Sequence, residues 1–272
     1  MTISPQIDVE SGARNLLERC GEFAAGDRIL IVQEDPSLGW YDADVPAAIL
    51  TVARSSGLAP EVINVGGPPD PLPPGLDAAI NAADGIVYCA RLGDQDRFGE
   101  RHVTKPAVMC YARTAEMLGG AYGQADYRAF VALKQVINDL TFGAEDIAIT
   151  CRLGTDLRGS VEADAQGAEG EVTVRRFPLG VPQPIPAESF SGRVALARAL
   201  TPTGSQFYRP AALYWDGVVF AIVENGKIAG FEGDAGSVRA IEAHYAKIAD
   251  QFEIDKDVVH SWHAGIHPGL RY

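Results

Sequence analysis

The period of hydrophobic and polar positions changes about halfway along the chain. In the first half, short apolar runs alternate with segments whose apolar residues recur at helical spacing. Strands that alternate with helices in this way favour a mostly parallel sheet with helices on both faces. The pattern predicts helices over Val9–Phe23, Val45–Ser56, Leu76–Ala83 and Tyr127–Leu140, and strands over 27–32, 61–65, 85–89 and 107–111.

In the second half, apolar and polar residues alternate with the two-residue period of strands. Asn225-Gly226 is a favoured two-residue hairpin turn, because both positions accept positive φ. We therefore expect an α/β fold with two domains: residues 1–143 form the α/β domain, and residues 144–272 form a β-rich, barrel-like antiparallel domain that ends in a cluster of histidines. The predicted elements of the second half are strands within 146–161, 171–177, 194–200 and 213–231, and a helix over Val238–Phe252.

Composition and charge restrict the class of protein. The chain of 272 residues is 47% hydrophobic and 22% charged, which is typical of a soluble globular protein. Its net charge of -13 disfavours binding to nucleic acid or to anionic membranes. No apolar run approaches the ~18 residues of a membrane helix, and Met1–Glu10 lacks a signal-peptide pattern. We therefore expect a cytoplasmic protein with neither nucleic-acid nor membrane partners.

The four cysteines are widely spaced and form no CxxC pair. Such cysteines are typical of buried free thiols in a reducing compartment. We therefore expect structural thiols rather than disulfides or a zinc site at Cys20, Cys89, Cys110 and Cys151.

Three of the five histidines fall within residues 260–267. Imidazole is the commonest metal ligand and also moves protons near neutral pH, so the cluster indicates a metal or proton-transfer site. The alternative is a loop whose histidines cap turns and meet solvent. Gly265 and Pro268-Gly269 argue against a helix, and in a strand His260 and His263 would point to opposite faces. We expect one or two of the three to reach a shared site, and favour His263 and His260 over His267.

A second candidate group lies at the start of the second half. Arg152, Asp156 and Arg158 fall close together in a strand or tight bend around Gly154. One interpretation is that an arginine positions a substrate anion. The other is a hairpin ion pair at the surface, which is the commoner role of such residues.

Polar loops follow the predicted parallel strands. The carboxyl ends of these strands, where ligands usually bind in such sheets, lead into Gln33–Asp35, Gly66–Gly67 and Arg91–Asp94. None of these loops carries a glycine-rich phosphate-binding motif. Gly93–Arg97 is a polar turn for which ligand contact and simple solvent exposure are equally open.

With its predicted elements and motifs in this order along the chain, the sequence resembles the aminopeptidase T superfamily. That superfamily contains the M29 metallo-aminopeptidases and the 2,5-dihydroxypyridine 5,6-dioxygenases. The resemblance rests on the opening helix with the strand GDRILIV, and on the later segments LGTDLRGSV, FPLGVPQPIPAESFSGRV and WHAGIHPG. It covers most of the chain but is diffuse. It implies a two-part α/β and β-rich fold and a small-molecule enzyme.

The departures from the family pattern favour its dioxygenase branch. After Pro178-Leu179-Gly180 the peptidases have a metal-binding glutamate, where this chain has Val181, and the histidine cluster contains no carboxylate. Two-metal hydrolysis needs several carboxylates, whereas the dioxygenases hold one iron with two histidines and one carboxylate.

The resemblance therefore implies a mononuclear Fe(II) enzyme that opens a small hydroxylated, nitrogen-containing aromatic ring with O2. His263 and His260 would hold the metal, His267 would donate a proton, and Arg152 or Arg158 would fix a substrate anion. A metal-dependent hydrolase using zinc or another divalent ion, and a metal-free binding protein on the same fold, remain alternatives. A homo-oligomer is expected for an enzyme of this kind.

The family supplies further ligands from a later His-x-Asp-like segment, and the chain given ends at Tyr272 before one. We therefore expect either a truncated sequence or a site completed differently. Possible substitutes are His267, Glu188, Asp156 or a neighbouring subunit.

Overall fold

The computed structural model forms two compact units built from interleaved segments of the chain. Unit 1 takes its residues from 1–135, 171–181 and 265–272, and unit 2 from 136–170 and 182–264. The residues that the structure describes are 7–68, 70–95, 105–161, 174–200, 210, 212–263 and 265–267.

Unit 1 is the α/β part of the molecule. Its strands are β1 (Arg28–Glu34), β2 (Ala59–Val65), β3 (Gly85–Cys89), β4 (Ala107–Cys110) and β7 (Val174–Phe177). Its helices are α1 (Val9–Arg14), α2 (Asp44–Ser55), α3 (Leu76–Ala82), α4 (Leu92–Gln95), α5 (Ala115–Gly119), α6 (Ala121–Gln124) and the first part of α7 (Tyr127–Phe142).

The five strands of unit 1 form a parallel sheet in the order β2-β1-β3-β4-β7. Every residue of β3 and β4 is buried, as are residues 29–32 of β1. Strands buried on both faces read as continuous apolar runs, which explains why these strands are visible in the sequence. Together with the flanking helices they confirm the predicted α/β architecture.

Unit 2 is β-rich. The strands β5 (Ile147–Thr150), β6 (Asp156–Gly159), β9 (Ser191–Leu200), β10 (Leu213–Glu224) and β11 (Lys227–Glu232) form an antiparallel sheet in the order β11-β10-β9-β6-β5. Its remaining elements are helix α8 (Ala235–Phe252) and the two-stranded sheet of β8 (Ile185–Pro186) and β12 (Ser261–Trp262).

Local signals explain several boundaries of these elements. The predicted hairpin turn is confirmed between β10 and β11, where Asn225 and Gly226 adopt φ of 48° and 72°. Helix α8 begins three residues earlier than the apolar pattern predicts. There the side chain of Asp234 accepts a hydrogen bond of 2.9 Å from the Ser237 backbone N–H and caps the helix.

The opening helix differs from the prediction in its second half. It is α-helical only over Val9–Arg14 and continues as a π-helix over Asn15–Cys20. The helix widens where the Asn15 side chain is buried and donates to the carbonyls of Gly123, at 2.8 Å, and Ala125, at 2.7 Å.

The alternation over 146–161 forms a hairpin of two short strands, β5 and β6. One expectation for the second half needs correction. The strand expected within 171–177 is present as β7, but it joins the parallel sheet of unit 1 beside β4. Alternation gives the extended conformation of a strand but does not say which sheet receives it.

The cysteines also depart in part from expectation. Cys20, Cys89 and Cys110 are buried free thiols, but Cys151 is exposed, because it lies on the turn between β5 and β6. None of the helices that the structure describes is long and apolar enough to cross a membrane. The division of the chain into domains 1–143 and 144–272 stays a prediction.

Candidate functional site

His260 and His263 flank the short strand β12 and contact the same serine. The Ser261 hydroxyl lies 2.8 Å from His263 Nε2 and 3.5 Å from His260 Nδ1. Both imidazole side chains are exposed. The strand contains only Ser261 and Trp262, so the alternation that would direct the two rings to opposite faces does not extend across both histidines. One hydroxyl therefore links the two imidazoles.

Backbone contacts hold the segment that carries this pair. The Ala187 N–H donates to the His260 carbonyl at 3.2 Å, and the Val259 N–H donates to the Gly226 carbonyl at 2.8 Å. A Cβ at Gly226 would come within 2.7 Å of the Glu188 Cα, so the turn needs glycine for its close approach as well as for its positive φ. The β10–β11 turn thus positions the chain that leads into β12.

An aromatic contact between Trp262 and Phe190 also supports β12. The rings of Trp262 and Phe190 meet edge to face with centroids 6.2 Å apart. Phe190 is fully buried and belongs, with Leu157 and Val223, to the buried core of unit 2. The imidazole pair is therefore exposed, while the neighbouring strand residue is anchored to that core.

His267 belongs to unit 1 and has a different environment. Its ring stacks on Tyr122 with centroids 4.5 Å apart and lies 5.1 Å from the Phe130 ring. Its Nε2 atom lies 2.8 Å from the Tyr122 carbonyl oxygen, to which it donates when protonated there. Mutual backbone hydrogen bonds of 2.8 and 3.2 Å between Ile266 and Gly180 fix the preceding residue. Burial raises the pKa of the Tyr122 hydroxyl to about 12, which keeps it protonated at neutral pH.

The two candidate arginines lie on the β5–β6 hairpin. Arg152 is exposed on its turn, and the guanidinium of Arg158 in β6 forms an exposed ion pair of 3.6 Å with Asp156. Gly154 adopts a φ of 104° in the same turn. The structure places these arginines in unit 2 with His260 and His263, and it places His267 in unit 1.

The histidine pair offers fewer donors than a mononuclear metal site needs. The imidazoles of His260 and His263 supply two nitrogen donors. Among the described residues, no group of three or more histidine, cysteine, aspartate or glutamate side chains is arranged to hold a metal. The described part of the chain therefore does not fit a complete two-histidine, one-carboxylate site.

Another polar cluster, at the carboxyl edge of the unit 1 sheet, was not recognised as a unit in the sequence. The carboxylate of Glu34, at the end of β1, is 1% exposed and accepts from the Arg91 side chain at 2.6 and 2.9 Å. It also accepts from the Arg91 backbone N–H at 2.9 Å. The Arg91 guanidinium lies 4.3 Å from the centroid of the Trp40 ring, and that of Arg113 lies 5.4 Å from it. The sequence signal for this cluster is that Glu34 and Arg91 both lie where a buried strand ends.

Comparisons with known proteins define the fold. No protein-family profile and no curated protein sequence matches the chain. Among solved structures, the 2,5-dihydroxypyridine dioxygenase from Pseudomonas putida KT2440 matches with a TM-score of 0.55 and 14% identity, covering 97% of this chain and 77% of that one. AmpT from Thermus thermophilus matches with a TM-score of 0.54 and 11% identity, covering 96% of this chain and 78% of that one.

These likenesses confirm the fold expected from the aminopeptidase T resemblance. The chain combines a five-stranded parallel sheet, flanking helices and an antiparallel β-rich sheet, and two solved structures share this fold along nearly its whole length. At identities of 11–14% the likeness establishes the fold alone.

Proposed function

We propose that this chain is a metal-dependent enzyme acting on a small molecule, and that it opens a hydroxylated N-heteroaromatic ring with O2. The observation that carries the proposal is the imidazole pair: the nitrogens of His260 and His263 both contact the Ser261 hydroxyl, at 3.5 and 2.8 Å. The fold shared with a 2,5-dihydroxypyridine dioxygenase supports the reaction class. Val181, where the resemblance gives two-metal peptidases a glutamate, supports a mononuclear rather than a dinuclear centre.

Within this proposal, His260 and His263 supply two imidazole ligands and Ser261 orients them. A bound Fe(II) would supply open coordination positions for O2 and a deprotonated ring hydroxyl. The described residues supply no third ligand beside this pair. Fe(II) is the proposed cofactor, with zinc or another divalent ion as the alternative.

The remaining candidates receive roles that their contacts permit. Arg152 lies exposed on the hairpin turn, and Arg158 lies exposed on strand β6. From these positions the two guanidinium groups attract a substrate anion. In His267, Nε2 faces the Tyr122 carbonyl and donates to it, so the proton proposed to pass to the substrate is the Nδ1 proton of the imidazolium form, which leaves the neutral Nε2–H imidazole. The protein is further proposed to be a cytoplasmic homo-oligomer.

A metal-free binding protein is the second candidate. It is favoured by the absence, among the described residues, of a group of three side chains that could hold a metal. A metal-dependent hydrolase of aminopeptidase or amidase type is a third candidate, because AmpT shares the fold.

Metal analysis and oxygen uptake separate these functions. The full chain is produced with added iron, and its metal content is compared between the parent protein, His263→Ala and the matched control His244→Ala, which removes a helix imidazole in unit 2. We expect one ion per chain in the parent and in His244→Ala, and loss of the ion in His263→Ala. Oxygen uptake with 2,5-dihydroxypyridine should follow metal content.

Each other outcome contradicts a defined part of the proposal. A protein that binds neither Fe(II) nor Zn(II) indicates the binding protein. Metal-dependent turnover of amides or peptides under strict anaerobiosis indicates the hydrolase. Unchanged occupancy in His263→Ala shows that His263 is not a ligand.

A further inference from the structure

The carboxyl edge of the unit 1 sheet, where the neighbouring central strands β1 and β3 end, has the topology of a ligand site. Strand β1 pairs with β2 on one side and β3 on the other, so the order of the strands reverses direction between β1 and β3. In open parallel sheets, ligands bind beyond the carboxyl ends of the strands at this reversal. Glu34 is the last residue of β1 and Arg91 lies two residues after the end of β3, and the cluster described above therefore lies at the reversal.

The buried carboxylate of Glu34 fixes Arg91. It accepts from the Arg91 backbone N–H, Nε and Nη2 at distances of 2.6–2.9 Å. Charge-assisted hydrogen bonds from two nitrogens of one guanidinium, here Nε and Nη2, fix its orientation as well as balancing its charge. The positive charge of Arg91 is therefore offset by Glu34, and its guanidinium is held in place beside Trp40.

Trp40 offers an aromatic surface at this edge. It is 43% exposed although the Arg91 guanidinium lies 4.3 Å from its ring centroid, and Leu38 in the same loop is 42% exposed. A Cβ at Gly67 would lie 3.2 Å from Arg91 Nη2 and 3.5 Å from both Asp70 Oδ2 and Leu38 Cδ1, so Gly67 brings the backbone after β2 close to all three side chains. An exposed indole bordered by cations and by a close backbone is a surface on which a planar ring can pack.

Arg113 is a second cation beside Trp40. Its guanidinium lies 5.4 Å from the Trp40 ring centroid and is exposed, and in the part of the chain that the structure describes no carboxylate forms an ion pair with it. The carboxylate of Asp94, in α4, accepts a 2.5 Å hydrogen bond from the Tyr111 hydroxyl. As far as the described residues go, the Arg113 guanidinium is therefore open to pairing with an anionic group.

We propose that this edge binds a planar aromatic monocarboxylate, whose ring packs on Trp40 and whose carboxylate pairs with Arg113. The Arg113 guanidinium, with which no described carboxylate forms an ion pair, matches a single negative charge, and the exposed indole matches an aromatic ring. A nucleotide suits the edge less well, because no glycine-rich loop follows these strands. The site uses residues of unit 1 only and contains neither His260 nor His263.

Calorimetric titration of the metal-stripped full chain tests the charge and the ring separately. Benzoate is the probe, benzamide keeps the ring without the charge, and cyclohexanecarboxylate keeps the charge without the planar ring. We expect benzoate to bind at least about 10-fold more tightly than either analogue, since each lacks one contact worth a factor of this order. Equal affinity for benzoate and benzamide, or no binding of benzoate, overturns the proposal.

Two variants with matched controls locate the site. Arg113→Gln and Trp40→Ala should each weaken benzoate binding by about 10-fold. Arg54→Gln, which removes an exposed charge of unit 1, and Tyr214→Ala, which removes an exposed ring of unit 2, should not change it. Circular dichroism confirms that each variant is folded, and Trp40→Phe provides a second folded variant that should regain most of the affinity. Unchanged binding in both Arg113→Gln and Trp40→Ala refutes the site.

Because the titration is done without metal, its result is independent of the dioxygenase proposal. Loss of benzoate binding in the parent protein would leave the metal and oxygen measurements unaffected. Conversely, a protein that takes up neither Fe(II) nor Zn(II) when these ions are supplied, but binds benzoate through Trp40 and Arg113, would refute the dioxygenase and retain this site.

Discussion

The two units support their candidate residues in different ways. In unit 1, Glu34 and Arg91 extend from strands that lie within a continuous buried core, and their charges meet in a pair with a carboxylate 1% exposed. In unit 2, His260 and His263 flank a two-residue strand, and both imidazoles are exposed. In the first arrangement several hydrogen bonds to a buried carboxylate orient the arginine, whereas the second depends on a few contacts around β12.

The difference follows from the amount of buried apolar surface beneath each group. Every residue of β3 and β4 in unit 1 is buried, while the buried cluster next to β12 in the described part of unit 2 contains Leu157, Phe190 and Val223. A small core concentrates its stabilising contacts on few side chains. Substitutions in the two units should therefore differ in size in an order that can be measured.

Loss of Phe190 should have the largest effect. Phe190→Ala removes a fully buried ring and its edge contact with Trp262, and we expect a loss of about 3–5 kcal/mol in the free energy of unfolding. Hydrogen exchange at the backbone amides of β8 and β12 should accelerate most. Phe252→Ala, at a position 41% exposed, is the control and should cost much less. Equal losses in the two variants would show that Phe190 does not anchor this part of unit 2.

Removing the charge of Glu34 should have the next largest effect. Glu34→Gln keeps the side chain's size but turns one acceptor into a donor that faces the Arg91 guanidinium. Breaking a buried pair is costly, but the Arg91 side chain is 27% exposed and can regain water, so we expect a loss of about 2 kcal/mol. Denaturant unfolding measures the change. A loss below that of an exposed ion pair would show that Glu34 does not fix Arg91.

Many of the secondary-structure elements in this comparison can be predicted from the sequence. The apolar runs of β1, β3 and β4 are readable because strands of a parallel sheet are buried on both faces. Asn225-Gly226 is readable because its turn depends on local backbone conformation. These features depend on neighbouring residues, and the structure confirms them.

Features that depend on distant residues were not predictable in the same way. Glu34 and Arg91 are separated by 57 positions in the chain, and they meet only because β3 pairs with β1, on the side opposite β2. The strand β7 reads as part of the second half, but long-range pairing places it beside β4. Such pairings follow from the packing of the whole sheet, which one sequence does not specify.

The histidine cluster shows the same limit within a short segment. The sequence indicates a strand running into a turn, and it predicts that His260 and His263 point to opposite faces. The strand is only two residues long, so both rings contact Ser261. How far a strand extends depends on its partner, here β8, and the residues of β12 alone do not determine it.

An exposed carboxylate of unit 1 gives a smaller, pH-dependent effect. Hydrogen bonds from the Arg128 guanidinium lower the pKa of Asp126 to about 2. Because the folded-state pKa lies below the unfolded value, this interaction stabilises the protein above about pH 4 and is lost as the pH falls towards 2. We expect the melting temperature of Asp126→Asn to decline less than that of the parent over this range. Parallel pH profiles of the two proteins would contradict this assignment.

The exposed pair of the β5–β6 hairpin should give the smallest change in stability. The side chains of Arg158 and Asp156 are 73% and 60% exposed, and the ion pair is 3.6 Å long, so Arg158→Ala should change the free energy of unfolding by less than about 0.5 kcal/mol. If Arg158 attracts a substrate anion, the same variant should raise KM several-fold while leaving kcat nearly unchanged, because binding is lost equally from the ground state and the transition state. Arg239→Ala, which removes an exposed arginine from α8, controls for the change in net charge. An unchanged KM in Arg158→Ala would leave this arginine with the surface ion pair as its only role, and the comparison between the buried pair of unit 1 and the exposed pair of unit 2 would then concern stability alone.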